Sequence, residues 1–233
     1  MKKLNNPEPT FRPGDHVLIK NNQFIALNKP AGIPVQPDQT EDKALLHLAE
    51  IYTKSKLLLI HRLDRPVTGL VLFAKTKTAQ RILSEDFKER RIQKTYLAVV
   101  RNTPDLPEAT LVHYIRQDIK ENKSVAFAED TPGAQRSVLT YRILANSENY
   151  CLLLVQPETG RHHQIRAQLA AIGCPVKWDV KYGARRSNPD RSIHLHAWKL
   201  EFKHPVDQST ILLTAPLPQD SLWQSFQPSL PNV

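Results

Sequence analysis

Apolar residues recur along the chain with two different periods, and the changes between them define the predicted elements. Three stretches place apolar side chains three and four positions apart, the spacing of one buried helix face. These predicted helices span residues 43–52, 78–90 and 162–172. The buried face of the first consists of Leu45, Leu48, Ala49 and Tyr52. Gly173 and Pro175 end the last.

Most of the remaining chain has the pattern of β-strands. Apolar runs at 17–19 and 24–27 flank Asn21-Asn22, a turn signal that predicts a β-hairpin. The other predicted strands span residues 57–60, 70–74, 95–100, 109–115, 124–128, 136–143, 150–155, 194–202 and 210–213. Because turn-prone residues separate many consecutive strands, antiparallel pairing is favoured. The sequence therefore predicts an α+β fold with a mostly antiparallel sheet.

No linker, repeat or low-complexity tract divides the 233 residues, so we expect one domain over residues 15–215. Residues 1–14 are polar and contain three prolines, which predicts an irregular lead-in. Residues 216–233 form a polar, proline-containing tail with room for one short helix. The main domain is therefore expected to carry the function.

The charge balance is the first indication of a partner. The chain has 32 Lys and Arg against 23 Asp and Glu, which gives a formal net charge of +9. A field of this sign attracts polyanions, so nucleic acid is the default partner, and an ordinary basic surface kept for solubility is the alternative. Two cysteines are too few for a disulfide framework, and no apolar run approaches the ~20 residues of a membrane span. We expect a cytoplasmic protein with no membrane partner.

Residue spacing argues against bound cofactors. The seven glycines are at least ten positions apart, whereas the dinucleotide fingerprint, the P-loop and G-x-S-x-G all need closely spaced glycines. His194 and His196 alternate on a predicted strand, but no Asp, Glu or Cys stands at ligand spacing to complete a metal site. We expect chemistry by side chains alone, with no cofactor and no metal.

Segment 61–69 lies between two predicted buried strands and is bent by Pro66 and Gly69, so a core should hold it rigidly as a loop. In an extended run, Arg62 and Asp64 point to the same side, where an ion pair keeps Asp64 ionised. An ionised, positioned carboxylate acts as a nucleophile or as a base. A purely structural Arg–Asp bridge in a turn is the alternative.

Two further candidates are a basic cluster and an aromatic residue. The cluster contains Arg161, His162, His163 and Arg166. It lies where a predicted strand ends and a helix begins, which is either a phosphate-docking site or a solvated basic helix face. Tyr96 lies in an alternating strand, where its ring either stacks on a base presented out of an RNA helix or packs in the core.

The order of these motifs resembles the RluA-type family of RNA pseudouridine synthases. The matching strings are Leu27-Asn28-Lys29-Pro30-Ala31-Gly32, His61-Arg62-Leu63-Asp64-Arg65, Thr68-Gly69-Leu70, Lys94-Thr95-Tyr96-Leu97-Ala98, Thr159-Gly160-Arg161, His163-Gln164-Ile165-Arg166, Asp179 with Tyr182-Gly183, Leu195-His196-Ala197 and His204-Pro205. Each string alone is a weak signal, whereas the ordered set is highly specific.

The resemblance implies the pseudouridine synthase fold, a mixed and largely antiparallel sheet in two halves, with flanking helices and an RNA-binding cleft between the halves. The catalytic residues it implies are Asp64, its ion-pair partner Arg62, the active-site tyrosine Tyr96, and Arg166, the arginine that pairs with the catalytic carboxylate. The implied substrate or RNA contacts are His61, Leu63, Arg65, Thr68, Arg161, His163, Gln164 and Leu169, the last lining the uracil pocket. The family uses neither a metal nor a cofactor.

The implied activity is isomerisation of flipped-out uridines to pseudouridine in tRNA, ribosomal RNA or both, by a monomer. Pro66-Val67 resembles the subgroup that acts on tRNA or on both RNAs. Only about 14 residues precede the matching region, so we expect RNA selection by the catalytic domain and not by the S4-type domain that many members carry. His162 stands where Thr is usual, and Trp178 stands where Gly is usual.

Two other functions remain open. A catalytically inactive RNA-binding or RNA-folding protein of the same fold is the main alternative to an enzyme. A metal-dependent nuclease also fits the charge, but the sequence lacks the carboxylate cluster that holds two cations.

Overall fold

The computed structural model describes residues 11–40 and 42–231. Residues 1–10 of the predicted lead-in and residues 232–233 of the predicted tail lie outside the described residues. The α-helices of the described part are α1 (Leu45–Thr53), α2 (Lys77–Lys88), α3 (Gln164–Ala171) and α4 (Ser221–Phe226), and short 3-10 helices span Pro13–His16, Val180–Tyr182 and Gln227–Ser229. The strands are β1 (Val17–Lys20), β2 (Phe24–Lys29), β3 (Leu58–Leu59), β4 (Thr68–Ala74), β5 (Gln93–Val100), β6 (Glu108–Asp118), β7 (Lys123–Phe127), β8 (Gln135–Asn146), β9 (Cys151–Pro157), β10 (Leu195–Lys203) and β11 (Thr210–Thr214).

The strands form one sheet in the order β1-β2-β4-β10-β5-β9-β8-β6-β7, with β3 paired to β4 and β11 paired to β10. Only the β4–β10 pair is parallel in the described part of the chain. Strands joined by short turns pair antiparallel because the chain reverses between them. β10 lies between β4 and β5 and so joins an N-terminal half of the sheet to a C-terminal half. The predicted α+β fold with a mixed, largely antiparallel sheet is confirmed.

Two hydrophobic clusters cover the sheet. The main core contains every residue of β4 from Leu70 to Phe73, together with side chains of α1, α2 and α3. A smaller cluster contains Leu97, Val99, Leu152, Trp198, Trp223 and Phe226. The last two residues belong to α4, so the segment predicted as a tail contributes a helix that packs on the sheet.

Helix α3 is buried on most of its surface. Its residues 164–169 are all buried, including Gln164, Arg166 and Gln168. The helix lies against β6 and β7 and is therefore enclosed on the side that would otherwise face solvent. A solvated basic face at this position, one of the two alternatives from sequence, is wrong.

Two local predictions are also corrected. Tyr52 is 39% exposed instead of buried, because the buried face of α1 is formed by Leu45 and Ala49. The side chain of Lys20 covers the Tyr52 ring, with Nζ 5.0 Å from the ring centre. The predicted strand 57–60 is reduced to β3, since only Leu58 and Leu59 pair with β4.

We expect Gly69→Ala to destabilise the junction between the two halves of the sheet. Gly69 has φ +110°, and a Cβ built there would lie 2.2 Å from the carbonyl oxygen of Ala197 on β10. The backbone of β10 cannot move away without loosening the β4–β10 pair, so the free energy of unfolding should fall by about 2–3 kcal/mol. Urea denaturation measures this change.

The matched control for that experiment is Gly160→Ala. Gly160 has no atom within 4 Å of the added methyl group. Its substitution should leave the urea midpoint nearly unchanged. Equal midpoints for the two variants would show that the close approach to Ala197 is not a constraint.

Candidate active site

A cleft of about 470 Å³ opens where the loop 60–67, between β3 and β4, faces β5 and the turn from β9 into α3. Nine residues singled out from the sequence line it: Arg62, Asp64, Tyr96, Arg166, His61, Leu63, Arg161, His163 and Gln164. They come from three segments that are far apart in the sequence. The cleft therefore lies at the junction of the two halves of the sheet.

A buried lysine anchors the loop that carries Asp64. Lys29 is 0% exposed, and its Nζ donates to the carbonyl oxygens of Pro30, Ile33 and Arg65 at 2.8, 3.0 and 3.1 Å. Burial lowers the pKa of Lys29 to about 7, against the opposing effect of the Asp64 charge. These hydrogen bonds tie two loops together, so the core determines where the Asp64 carboxylate lies.

The Asp64 side chain is 27% exposed and is held by one buried arginine. Its Oδ2 accepts a hydrogen bond from Arg166 Nη1 at 3.1 Å, and His163 Nε2 lies 3.5 Å from the same oxygen. Arg166 also donates through Nε and Nη2 to both oxygens of Asp179, at 2.6 and 2.8 Å. This bidentate pair fixes the guanidinium. One cation thus compensates two carboxylates.

The two groups beside Asp64, Arg166 and His163, differ in their charge state. Although burial disfavours the charged form of Arg166, the hydrogen bonds and charges of Asp179 and Asp64 hold its pKa above the usual range. Burial lowers the pKa of His163 to about 3, against the opposing charge of Asp64. His163 is therefore neutral at physiological pH, and Arg166 supplies the positive charge.

Tyr96 and Lys94, both on β5, line the same cleft. Burial raises the pKa of Tyr96, and the Asp64 charge acts in the same direction. The phenol is therefore a neutral hydrogen-bond donor. Burial lowers the pKa of Lys94 to about 8, and nearby Arg90 adds to this effect. The cleft combines a carboxylate, an aromatic ring and cationic side chains.

The family model for RNA pseudouridylate synthase matches residues 23–171, more than half of the chain. The chain belongs to the RNA pseudouridine synthase family. The resemblance to the RluA-type synthases is therefore confirmed, and the members of this family are isomerases. The matched range contains Asp64, Tyr96 and Arg166.

Several relatives are similar along most of the chain. It is 31% identical to tRNA pseudouridine synthase C of Haemophilus ducreyi, over 89% of this chain and 92% of the relative. It is 32% identical to ribosomal large subunit pseudouridine synthase D of Nitrosomonas europaea, over 88% of this chain and 62% of the relative. It is 31% identical to ribosomal large subunit pseudouridine synthase C of Buchnera aphidicola, over 86% of this chain and 66% of the relative. The solved structure of human RNA pseudouridylate synthase domain containing 4 matches with a TM-score of 0.76 and 25% identity, over 94% of this chain and 96% of that one.

In this pseudouridine synthase, Arg62 does not pair with Asp64. Arg62 is exposed, and within the described ranges Asp64 is bonded by Arg166 and approached by His163 instead. The Arg62–Asp64 ion pair is therefore a wrong prediction. Residues 61–64 are not in a strand, so residues two apart do not share a side.

Three predicted RNA contacts lie away from the cleft lining. Arg65 forms an ion pair with Asp42 and holds the preceding loop. Thr68 Oγ1 is hydrogen-bonded to His196 Nδ1 at 2.7 Å inside the sheet. Leu169 is 0% exposed in the main core, because α3 turns it away from the cleft, which corrects the expectation that it lines the uracil pocket.

Two residues of the cleft lining also stabilise the fold. His61 Nε2 accepts a hydrogen bond from the backbone N–H of Leu72 at 3.0 Å, and its ring stacks on Phe87 at 4.4 Å. Burial lowers the pKa of His61 to about 3, so its ring is neutral. Gln164 accepts from the Thr159 hydroxyl at 2.7 Å and holds the turn before α3. Both side chains keep the cleft walls in place.

Asp179 and Tyr182 belong to the matched strings, but the sequence alone predicts no role for either. Asp179 is 2% exposed and is the bidentate partner of Arg166. The preceding residue, Trp178, has φ +68°, in the left-handed region that favours glycine. This left-handed conformation explains why glycine is usual at position 178 in the family that the sequence resembles. Trp178 lies edge-on to His194, with ring centres 4.5 Å apart.

His194 and His196 have separate partners. His194 Nε2 lies 3.4 Å from Asp220 Oδ1, whereas His196 bonds to Thr68. In residues 11–40 and 42–231, no three potential metal-ligating side chains stand together. No helix in the same ranges is long and apolar enough to cross a membrane.

Proposed function

We propose that this chain isomerises specific uridines in structured RNA to pseudouridine, with Asp64 as the essential carboxylate and tRNA as the preferred substrate class. One arrangement carries the proposal: the Asp64 carboxylate, held by buried Arg166, faces an open cleft beside Tyr96. A positioned carboxylate that a ligand can reach meets the requirement for nucleophilic or general-base chemistry.

The proposed reaction breaks the bond between uracil N1 and ribose C1′, rotates the bound base, and joins C5 to C1′. The proton on C5 passes to solvent and N1 takes up a proton from solvent in its place, so atoms balance without another reactant. Asp64 acts by attacking C1′, by adding to uracil C6, or by removing the C2′ proton. In all three routes Arg166 remains beside Asp64 and balances its charge as the bond forms and breaks.

The uridine must leave its helical stack to reach Asp64, because its reacting atoms are enclosed in paired RNA. The cleft volume of about 470 Å³ lies within the range of small-ligand sites, roughly 300–1,000 Å³. Tyr96 contacts the extruded base in this proposal. Arg62, which is exposed and not bonded to Asp64, fills the vacancy that the base leaves in the RNA.

The walls of the cleft carry a surplus of positive charge that suits RNA phosphates. Besides Arg166, the cationic residues that line it are Arg62, Lys88, Arg90, Lys94 and Arg161. The acidic residues that line it are Asp64 and Glu158. Backbone phosphates are bound by such side chains irrespective of sequence. We therefore propose that the chain binds RNA through this face.

The similarity to the Haemophilus ducreyi tRNA enzyme, which extends over 92% of that relative, supports tRNA as the first substrate class. The ribosomal RNA enzymes are the second class, because they show similar identity over a smaller share of their length. We also propose a cytoplasmic monomer that works without metal or cofactor, with residues 15–215 as the catalytic domain.

The decisive experiment is tritium release from RNA labelled at uracil C5, with tRNA and ribosomal RNA offered separately. Release from tRNA at a rate unaffected by a chelator is expected. Release from ribosomal RNA alone would change the substrate class. Binding of both RNAs without release from either would favour the catalytically inactive RNA-binding protein.

We expect Arg161→Gln to weaken RNA binding and to leave turnover at saturation nearly unchanged. Arg161 is exposed on the cleft wall, where it contacts phosphate in this proposal. Loss of one phosphate contact should lower the slope of log Kd against log salt by about one. Fluorescence anisotropy at several salt concentrations measures the slope, with the exposed Arg185→Gln outside the cleft as control. Identical slopes for both variants would remove Arg161 from the interface.

A further inference from the structure

The hydrogen bonds of Tyr182 determine where its proton points. Tyr182 Oη accepts from the backbone N–H of Ser124, on β7, at 2.8 Å. The same oxygen lies 3.0 Å from His163 Nδ1. A phenol has one proton to donate, and among the described residues the hydrogen-bond partners of Tyr182 Oη are the Ser124 N–H, which is a donor, and His163 Nδ1, so the phenol proton points to His163. Nδ1 is therefore the unprotonated nitrogen of His163.

The single proton of the neutral imidazole is then on Nε2. His163 is 9% exposed, and burial keeps it neutral at physiological pH. Its Nε2 lies 3.5 Å from Asp64 Oδ2, slightly longer than a hydrogen bond. Catalytic hydrogen bonds are often long before substrate binds and shorten in the complex. The N–H of His163 is thus directed at the carboxylate.

The surroundings hold the imidazole ring in this orientation. His162 stacks on it with ring centres 3.7 Å apart, and Tyr182 meets it edge-on at 5.7 Å. His163 has φ +51°, a conformation that histidine adopts more readily than most residues. The Tyr182 ring also lies under the Arg166 guanidinium, 4.9 Å from its centre. Tyr182 therefore contacts both groups that approach Asp64.

Both groups approach the same carboxylate oxygen. Arg166 Nη1 bonds to Asp64 Oδ2, and His163 Nε2 faces Oδ2 as well. In the described residues no hydrogen-bond donor is assigned to Oδ1. One oxygen is thus used for positioning, which leaves the other to react.

We propose that Tyr182 and His163 are positioning residues that direct a neutral imidazole N–H at Asp64 Oδ2, so that Oδ1 is the oxygen presented to the uridine. This inference rests on the proposed function of Asp64. The Ser124 N–H donates to Tyr182 Oη, and the Tyr182 O–H donates to His163 Nδ1. The His163 Nε2–H then points toward Asp64. Strand β7 supports the active site through this chain of contacts.

The first test is the tautomer of His163 in the free protein, read from side-chain nitrogen chemical shifts by NMR. The signal is assigned by its loss in His163→Asn, which suits the left-handed backbone. The proton is expected on Nε2 in the wild type and distributed between both nitrogens in Tyr182→Phe. A proton on Nδ1 in the wild type would overturn the inference. Because no RNA is present, this result is independent of the proposed function.

The second test is the kinetics of Tyr182→Phe, which removes the hydroxyl and keeps the ring under Arg166. We expect kcat to fall about tenfold while KM changes less than about twofold, because the loss affects Asp64 and not RNA binding. Tyr141→Phe is the control, since Tyr141 is a buried tyrosine whose hydroxyl bonds to Leu106 O at 3.2 Å, outside the cleft. Equal kcat values for the two variants would overturn the role of Tyr182. Absence of turnover in the wild type would instead contradict the proposed function.

Discussion

Asp64→Asn releases no measurable tritium from C5-labelled RNA, while the protein folds and binds RNA almost as the wild type does. The amide has the volume of the carboxylate, and its oxygen still accepts from Arg166, so the cleft keeps its shape. The amide has no charge and neither attacks carbon nor removes a proton at a useful rate. The rate should therefore fall at least about 10³-fold, the scale expected for a lost positioned base or nucleophile.

The measurement compares tritium release with RNA affinity for the same preparations. Asp130→Asn is the matched control, because Asp130 is an exposed aspartate outside the cleft lining. It should retain wild-type release. Near-normal release by Asp64→Asn would disprove the role of Asp64. Loss of RNA binding in that variant would show that the carboxylate supports the fold of the cleft instead.

The second large effect is expected for Arg166→Met, which should lose both turnover and stability. Removal of the Arg166 guanidinium leaves Asp179, which is 2% exposed, as a buried carboxylate without its bidentate partner. Breaking a buried pair from one side costs about 3–5 kcal/mol of unfolding free energy. Asp64 also loses its cation, so isomerisation should stop. Urea denaturation and tritium release measure the two losses separately.

Two further substitutions separate charge from geometry in that result. Arg166→Lys keeps the positive charge but lacks the planar fork, so it should recover part of the stability and little of the turnover. Arg161→Met removes an exposed arginine near α3 and should leave the urea midpoint unchanged. A midpoint for Arg166→Met equal to that of Arg161→Met would mean that the buried pair contributes no stability.

Much of the fold follows from local patterns in the sequence. The hairpin β1–β2 follows from two apolar runs around Asn21-Asn22, and α2 follows from the spacing over 78–90. Both depend on residues that are neighbours in the chain. The short strand β3 shows the limit of this reasoning. An apolar run indicates burial, but the pairing of a strand depends on where distant partners lie.

Local residue patterns predict the position of the site but not the cation that pairs with Asp64, which only the family resemblance indicates. A polar loop between two apolar strands correctly placed Asp64 at the cleft. Its cation is Arg166, 102 residues away along the chain, and no local spacing shows this contact. The alternation that points to the neighbouring Arg62 holds only in strands, and residues 61–64 are irregular.

The basic cluster before α3 shows how burial changes the meaning of a motif. From the sequence, Arg161, His163 and Arg166 all count as positive groups for phosphate. In the structure Arg166 forms ion pairs with half-buried Asp64 and buried Asp179. His163 is neutral because burial lowers its pKa. Only Arg161 of these three is exposed. Composition gives only the number of basic residues. Burial decides which of them are both charged and exposed to solvent.

The position of β10 has a consequence for how the protein is made. Residues 195–203 fill the gap between β4 and β5, and Leu195 forms part of the cleft wall. While a ribosome is still synthesising the chain, the edge of β4 has no partner on that side, and an open edge of this kind is a site for wrong pairing. The two halves join only when these residues emerge, after β4 and β5. The cleft is therefore completed only after β10 has been synthesised, and a nascent chain that stops before β10 lacks the surface on which RNA would be modified.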